Sequence, residues 1–473
     1  MDFAPTEAVV GVDVGSTEIK VLVADRRGGT LSLRRTPTDW RRASRGHSEL
    51  PADVLLARVL STVSSAVQVA ERSARGLRVA AVAVTGMAES GVLLDRQGTP
   101  LHPIIAWFDQ RGGAELTALP GDLTREFSAH TGLPLSPLCS FAKLNWLVEQ
   151  GLPPREAGRW LNVPEYVAHA LGAAAITEPS LASRTGLLDQ ATQQPWIPAL
   201  DHLGLAASVL PPLTPAGTPI GKVEHPGVPE SVRGAVLGVA GHDHPVASVA
   251  GGVWHGEHLF DSCGTSEALL RVASTPLRDD QRERLTDEGI AQGMHVLPDR
   301  WILLGGTRGG LLLDQVLALL GRKEQPGRAE LDAQWLTAPP DGGSVLVSGA
   351  HARSEHVDVR LGEDTSPLRV WSAALSHAMA ETDAVIDLMA AEAGPHEHVT
   401  AAGGWTRMGS FRAAKQRSLP DVRYSRIDQP SAYGAAIFAA RAAAHEDGDS
   451  AVSAVDIARL FTDNTLETIG AEP

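Results

Sequence analysis

Cysteine is nearly missing from this chain: Cys139 and Cys263 are the only two in 473 residues, far apart and in no CxxC spacing. That excludes a disulfide framework and a cysteine-built zinc site, and leaves both as packed thiols. Long apolar runs are absent too, none approaching the ~20 residues that a membrane span needs. The opening, Met1 to Glu7, is acidic where a secretory leader would be basic and then apolar. A cytoplasmic protein with no membrane partner is the expectation. Positive charge is in deficit, with a formal net charge of -15, which argues against a nucleic-acid backbone as the main partner. The one basic stretch, Arg34, Arg35, Arg41, Arg42 and Arg45, is interrupted by Pro37 and Asp39 and reads as a solvated loop. No GxxxxGK[ST] string occurs, so there is no P-loop.

What is present is the composition of a soluble globular protein, 43% hydrophobic and 21% charged. The length favours two large lobes. Ala8 to Val14 and Glu18 to Asp25 read as strands joined by the tight turn Gly15-Ser16-Thr17, and Thr30 to Thr36 continues an antiparallel meander. Helices are predicted over Ala52–Ala74, Leu311–Leu320, Pro367–Ala391 and Ser431–Ala444, with a central strand at Val79–Thr85 and another at Val399–Ala402. This order predicts an α/β fold. After the Pro- and Gly-rich stretch from Pro211 to Pro229, a second lobe is placed from residue 234, giving lobes over 1–233 and 234–473. Gly264-Thr265-Ser266-Glu267 echoes Gly15-Ser16-Thr17-Glu18, each after an apolar run carrying an aspartate, Asp261 or Asp13. The echo suggests two lobes of related design across a cleft.

Small residues in such turns let backbone N–H groups converge on a phosphate. Each turn alone is equally an ordinary hairpin; one per lobe favours a nucleotide phosphate clamped between them. Asp13, at a strand end, fits either a turn cap or an oxygen ligand for a hard cation such as Mg²⁺. Asp243 follows the strand-like Gly238 to His242 and precedes Pro245, so it is a helix cap or a catalytic carboxylate at a strand's C-terminal end. Adjacent His242 and His244 are expected to point apart, which does not make a metal site. In the first lobe Thr85 to Ser90 and Trp107-Phe108-Asp109-Gln110-Arg111 combine carboxylates, an arginine and an aromatic face, the kit for a hydroxyl-rich ligand or a surface ion pair beside a core Trp.

Val10-Gly11-Val12-Asp13-Val14-Gly15-Ser16-Thr17, Ala106 to Arg111, Lys143-Leu144-Asn145-Trp146-Leu147, Ser183-Arg184-Thr185-Gly186, Gly241-His242-Asp243, Cys263-Gly264-Thr265-Ser266 and Gly403-Gly404 resemble, in that order and over nearly the whole chain, the motifs of FGGY carbohydrate kinases. The resemblance implies two ribonuclease-H-like (actin-like ATPase) lobes with the active site in the cleft, the first binding sugar and the second nucleotide. It implies ATP as phosphoryl donor and Mg²⁺ as cofactor, with Asp243 as general base and Asp13 orienting the metal through water. The Gly264-Thr265-Ser266 loop would hold the terminal phosphates, with Gly15, Ser16 and Thr17 opposite. Gly306, Gly403, Gly404 and Arg407 would complete the nucleotide contacts. Met87, Glu89, Trp107, Asp109, Arg184 and Asp243 would hold a small sugar or polyol. A homodimer is the family-based expectation.

Met87-Ala88-Glu89 stands where xylulokinases carry Gln-Met-His and glycerol kinases Gln-Arg-Glu. Ala88 leaves more room than Arg, which favours a ketose or polyol larger than glycerol. Glu267, Trp405, Ser372 and Ser376 also depart from the family pattern. Two other readings stand beside this one: an aldonate kinase using Arg184 or Arg111 on a carboxylate, and a non-catalytic binding protein on the same scaffold.

Overall fold

The computed structural model describes residues 6–42, 46–462 and 466–467; residues 1–5 and Arg45 of the basic stretch lie outside the described residues. Two sheets organise the chain. The first runs in the order Gly221–Lys222, Val236–His242, Arg78–Gly86, Glu7–Val14, Glu18–Asp25, Thr30–Pro37. Its three middle strands are parallel and the meander beside them antiparallel. The second repeats the plan: Ala291–Met294, Trp301–Thr307, Glu267–Ala273, His258–Cys263, His398–Ala402, Val422–Ser425, Leu466–Glu467. His258–Cys263, His398–Ala402 and Val422–Ser425 are its parallel set. The two hairpin turns, Gly15-Ser16-Thr17 and Gly264-Thr265-Ser266, therefore sit at equivalent places. The echo in the sequence is an echo in topology.

Burial explains the strand patterns. Val10, Val12, Val14 on one face and Val9 on the other are all buried, because a central parallel strand is covered on both sides. Helix Ala52–Ser73 is long and apolar enough to cross a membrane by length and composition. It instead buries Leu55, Val59, Val63, Val67 and Ala70, a stripe at helical spacing, against the Glu18–Asp25 and Thr30–Pro37 strands. The other predicted helices appear as Gly309–Leu319, Pro367–Ala393 and Pro430–Glu446.

The boundary expected at 233/234 does not coincide with the sheets. Val236–His242 pairs in parallel with Arg78–Gly86 and belongs to the first sheet. Helix Pro430–Glu446, in the chain's C-terminal part, also returns to pack on that sheet. Local turn composition marks a loop, whereas strand partnership is a long-range property that the loop does not report.

That returning helix explains its own alanine content. It crosses Glu7–Val14 and helix Asp243–Ala250 closely enough that a Cβ at Gly11 would meet the Ala436 nitrogen at 2.6 Å, and one at Gly434 would meet Val246 Cγ1 at 2.7 Å. On an exposed helix Gly→Ala stabilises by about 1 kcal/mol. Here the sign should invert. Gly434→Ala is expected to lower the chemical-denaturation midpoint; a variant as stable as the parent or more so would contradict this packing.

Candidate active site

Strand register sets the site. Asp13 pairs with Thr85, and Thr85 pairs with Gly241 on the other side, so Glu7–Val14 and Val236–His242 flank the central Arg78–Gly86 strand and reach the same level at their C-terminal ends. Thr85 Oγ1 donates to the Gly241 carbonyl at 2.7 Å. The chain then turns into helix Asp243–Ala250, which presents Asp243 in its first turn. Behind it, the His242 N–H donates to Ser180 Oγ at 2.9 Å, and Ser180 Oγ donates to Glu178 Oε2 at 2.5 Å. Gly241 has φ +110°, and any Cβ there would strike Val296, Ser180 and Glu178. Ser180 and Glu178 thus fix the peptide that carries Asp243.

The electrostatics are dominated by carboxylates. Burial first, and then the negative charge of Asp13, push Asp243 well above the usual carboxylate range, with Lys20 acting against them and Glu89 adding to them. Lys20 Nζ lies 3.1 Å from Asp13 Oδ2; the hairpin register that opposes Asp13 to Lys20 is what places it there. Asp13 Oδ1 and Asp243 Oδ1 are buried and accept no hydrogen bond. Near Asp243 Oδ1 stand His242 Nε2 at 3.3 Å and His244 Nε2 at 3.9 Å. Contrary to the expectation that these histidines point apart, their ligand atoms and that of Asp243 all lie within 4.8 Å, because the strand ends between them. Burial lowers His244 to about 4 and His242 also well below its ordinary value, so both are neutral near pH 7.

Around the predicted sugar loop the residues divide. Glu89 adopts φ +61°, a left-handed conformation costly for a non-glycine residue and concentrated at functional positions. Its Oε1 accepts from Arg184 Nε at 2.6 Å; Arg184 Nη1 is buried without a partner. Trp107 packs edge-on to Phe108, centroids 5.6 Å apart, and Phe108 edge-on to Trp40. Met87, expected among the substrate contacts, is instead 3% exposed within the first apolar core. Asp109 is likewise spent internally. Its two oxygens accept from the Ser48 and Arg111 N–H groups and from Arg111 Nε and Nη2, which uses all four of its lone-pair sites. Arg111, between Asp109 and Glu49 and 5.0 Å over Trp146, is buried. Adjacency in sequence could not show that Asp109 folds back on Arg111.

The first-lobe turn is braced from outside. Thr38 Oγ1 donates to the Gly15 carbonyl and Trp40 Nε1 to the Ser16 carbonyl, both at 2.7 Å, while Thr17 remains exposed. The second-lobe turn opens on a cavity of about 750 Å³ whose wall includes Gly264, Thr265, Gly310, Gly404, Trp405 and Arg407. Arg328 lies over the Trp405 ring at 4.5 Å. A Cβ at Gly310 would overlap the Gly264 carbonyl, so this glycine lets helix Gly309–Leu319 seat directly on the turn. Ser266 is exposed at the tip of that turn, and Gly403, at φ +116°, backs onto Cys263. Gly306 is away from the cavity wall, inside strand Trp301–Thr307 opposite Ala268. Arg407 pairs with Asp428, which also takes Arg35 at 3.1 Å.

Glu267 does not reach toward the cavity. It is buried and accepts from Lys415 Nζ at 2.8 Å, and from Thr307 and Thr382 at 2.7 Å each. Lys415 also pairs with Asp261. Sequence reading missed this network because Lys415 lies 148 residues from Glu267. Ser372 also has a packing role: it receives Trp335 Nε1 at 2.6 Å. Helix Asp243–Ala250 touches strand Glu267–Ala273, so the element bearing Asp243 abuts the strand leaving the second turn.

The donor set suits a divalent cation. Two buried carboxylate oxygens without partners are costly to leave unmade, and a hard cation with its waters satisfies such oxygens. The cavity beside Gly264 is likewise within the size range of nucleotide-scale ligand sites.

The protein thus has two lobes of repeated topology, with buried aspartates at one set of strand ends and a glycine turn over a large cavity at the other. The FGGY family of carbohydrate kinases, N-terminal domain, matches residues 8–249, and the chain belongs to this family. A glycerol kinase of Rhodospirillum centenum is 30% identical over 226 residues, 46% of this chain and 45% of that protein. An L-fuculokinase of Salmonella typhi is 27% identical over 344 residues, 69% of each. The chain thus spans about half the length of the first of these curated relatives. Among solved structures, Plasmodium falciparum glycerol kinase with ADP has the same fold, with TM-score 0.85 at 17% identity over 98% of this chain and 93% of that one.

Asp109 yields a pH test. Burial alone would raise it, but hydrogen bonds from Arg111 and Ser48 hold it at about 2. Its contribution to stability is therefore full above the unfolded value of roughly 3.9 and is lost as pH falls through about 2. Urea midpoints should drop more steeply between these values for the parent than for Asp109→Asn; equal slopes would contradict the assignment.

Proposed function

We propose that this chain transfers the terminal phosphoryl group of ATP to a hydroxyl of a neutral ketose or polyol, with Asp243 as general base. The observation that carries the reading is the pair of buried, unpartnered oxygens on Asp13 and Asp243 at the ends of strands flanking one central strand. Strands two positions apart lie roughly 10 Å from each other, which leaves room between the carboxylates for a phosphoryl group and an attacking alcohol.

In this reading the substrate hydroxyl donates a hydrogen bond to Asp243, which takes the proton as the oxygen attacks phosphorus. Ser180 and Glu178 keep the Asp243 peptide from drifting. Asp13 would hold Mg²⁺ through water, and that ion, when bound, supplies charge neutralisation on the phosphates. Thr265 and Ser266 would hold the phosphates through backbone N–H groups, the Gly264 N–H being taken by the Ser262 carbonyl at 3.0 Å, and Trp405 with Arg328 offers a stacking face for the base. Phosphoryl transfer needs little covalent help, so alignment and charge account for most of the rate.

The sugar side favours a neutral substrate. Arg184 is already paired with Glu89 at 2.6 Å, and Asp13 and Glu89 both add negative charge near Asp243, so an aldonate would bring a further negative group to the proposed hydroxyl position. L-Fuculose, the substrate class in the name of one relative, is such a neutral ketose; Ala88, expected to leave room for it, is instead buried in the first core.

A panel of ketopentoses, ketohexoses, polyols and aldonates with ATP and Mg²⁺, followed by ADP release, tests the reading. Stimulation by a ketose or polyol and none by aldonates is expected. Asp243→Asn should keep the fold and lose at least ~10² in turnover, the usual worth of a positioned base. Near-normal turnover in that variant, or no response to any sugar, would refute it.

A further inference from the structure

On the seam between the lobes, behind the Val236–His242 strand and apart from both the sugar loop and the Gly264 turn, lies a second cavity of about 410 Å³. Five segments build it. They are Pro215 and Ala216 of the first lobe, Trp254 and His255 after helix Asp243–Ala250, the Val296–Arg300 turn of the second sheet, Phe438 and Arg441 of the returning helix, and the start of helix Ala454–Thr462. Its floor is apolar, with Phe438, Leu297 and Val296 buried.

The charges on its wall are of one sign. Arg300 and Arg441 line it, and no aspartate or glutamate does. Among the described residues neither arginine forms an ion pair; Arg441 donates only to the Ala216 carbonyl at 2.6 Å and Arg300 only to the Asp299 carbonyl at 2.8 Å. Arg441 is partly buried, and burial draws it below the usual guanidinium range with no carboxylate acting against the shift. A guanidinium taken partly out of water without a counter-charge is unfavourable, and an anion in the cavity removes that penalty. A smaller adjoining cavity, of about 180 Å³, carries Glu178 and Asp299 on its wall, so an anion is confined to the larger space.

We propose that this cavity is a binding site for a small amphipathic monoanion, an aromatic or branched aliphatic body carrying one carboxylate or sulfonate, with the anionic group on Arg441 and Arg300 and the body on Phe438 and Leu297. The occupant lies against Val296, whose side chain covers Gly241, two residues before Asp243. Ala216 precedes Gly217, whose N–H donates to the Val239 carbonyl at 2.8 Å. The site thus touches the strand that presents Asp243 from two sides.

Two fluorescent probes of matched shape separate an anion site from a merely apolar surface. These are 1-anilinonaphthalene-8-sulfonate and the neutral N-phenyl-1-naphthylamine, titrated into the full chain. The sulfonate should bind more tightly than the neutral probe by about tenfold, the worth of one charge-assisted hydrogen bond. Arg441→Gln should abolish that preference and leave the neutral probe's affinity unchanged. Ala454→Trp, which fills the cavity, should remove both probes while circular dichroism reports the same fold. Equal affinity of the parent for the two probes, or a sulfonate preference that survives in Arg441→Gln, would overturn the proposal.

Discussion

Negative charge is concentrated where the first sheet ends. Asp13 and Asp243 each bury an oxygen left without a hydrogen-bond partner, and burial together with the charge of Asp13 raises the cost of ionising Asp243, with Lys20 acting against it. Folding alone gives no return for such an arrangement, since an uncompensated buried charge costs several kcal/mol. The surrounding structure over-determines it nonetheless. The register of three strands sets the level of both groups, Thr85 ties the last of these strands to the central one, and Ser180 and Glu178 hold the peptide before Asp243. Arrangements of this kind persist where a ligand supplies the missing partners.

The second lobe uses the same topology for the opposite electrostatic purpose. There the hairpin acids Asp261 and Glu267 are fully matched by Lys415, Thr307 and Thr382 below the turn. With its carboxylates turned inward and neutralised, the turn lines the 750 Å³ cavity with Gly264 and Thr265. One lobe leaves a carboxylate oxygen of each acid without a partner and the other pairs its acids. That asymmetry suits a metal and a hydroxyl on one side and polyphosphate on the other, and it gives Glu267, an unusual residue in the sequence, a structural account.

Much of this was legible in the residues themselves. The hairpin turns, the central strand at Val79–Thr85 and the helices near 52, 311, 367 and 431 follow from periodicity, Gly and Pro placement, and all appear within a few residues of their predicted bounds. Asp243 at a strand end also followed from small neighbours and Pro245. What local pattern could not report was partnership across the chain. The strand before Asp243 joined the first sheet and not the second. Met87 went into the core, and Asp109 turned back to Arg111 and Ser48. Trp40 bracing Ser16 spans 24 residues, and Lys415 reaching Asp261 spans 154. Each depends on packing between elements, and each changes which side chains are left for a ligand. Lys20 is the exception that could have been found, because the hairpin register alone sets it opposite Asp13.

The central claim is that Asp243 acts on the alcohol and is not part of the grip on the nucleotide, which belongs to the second-lobe turn and its cavity. Calorimetric titration of ATP with Mg²⁺ into Asp243→Asn tests that division most directly. The account predicts a dissociation constant within about threefold of the parent's, less than the ~1.4 kcal/mol that a tenfold change represents. Loss of nucleotide binding in that variant would contradict it.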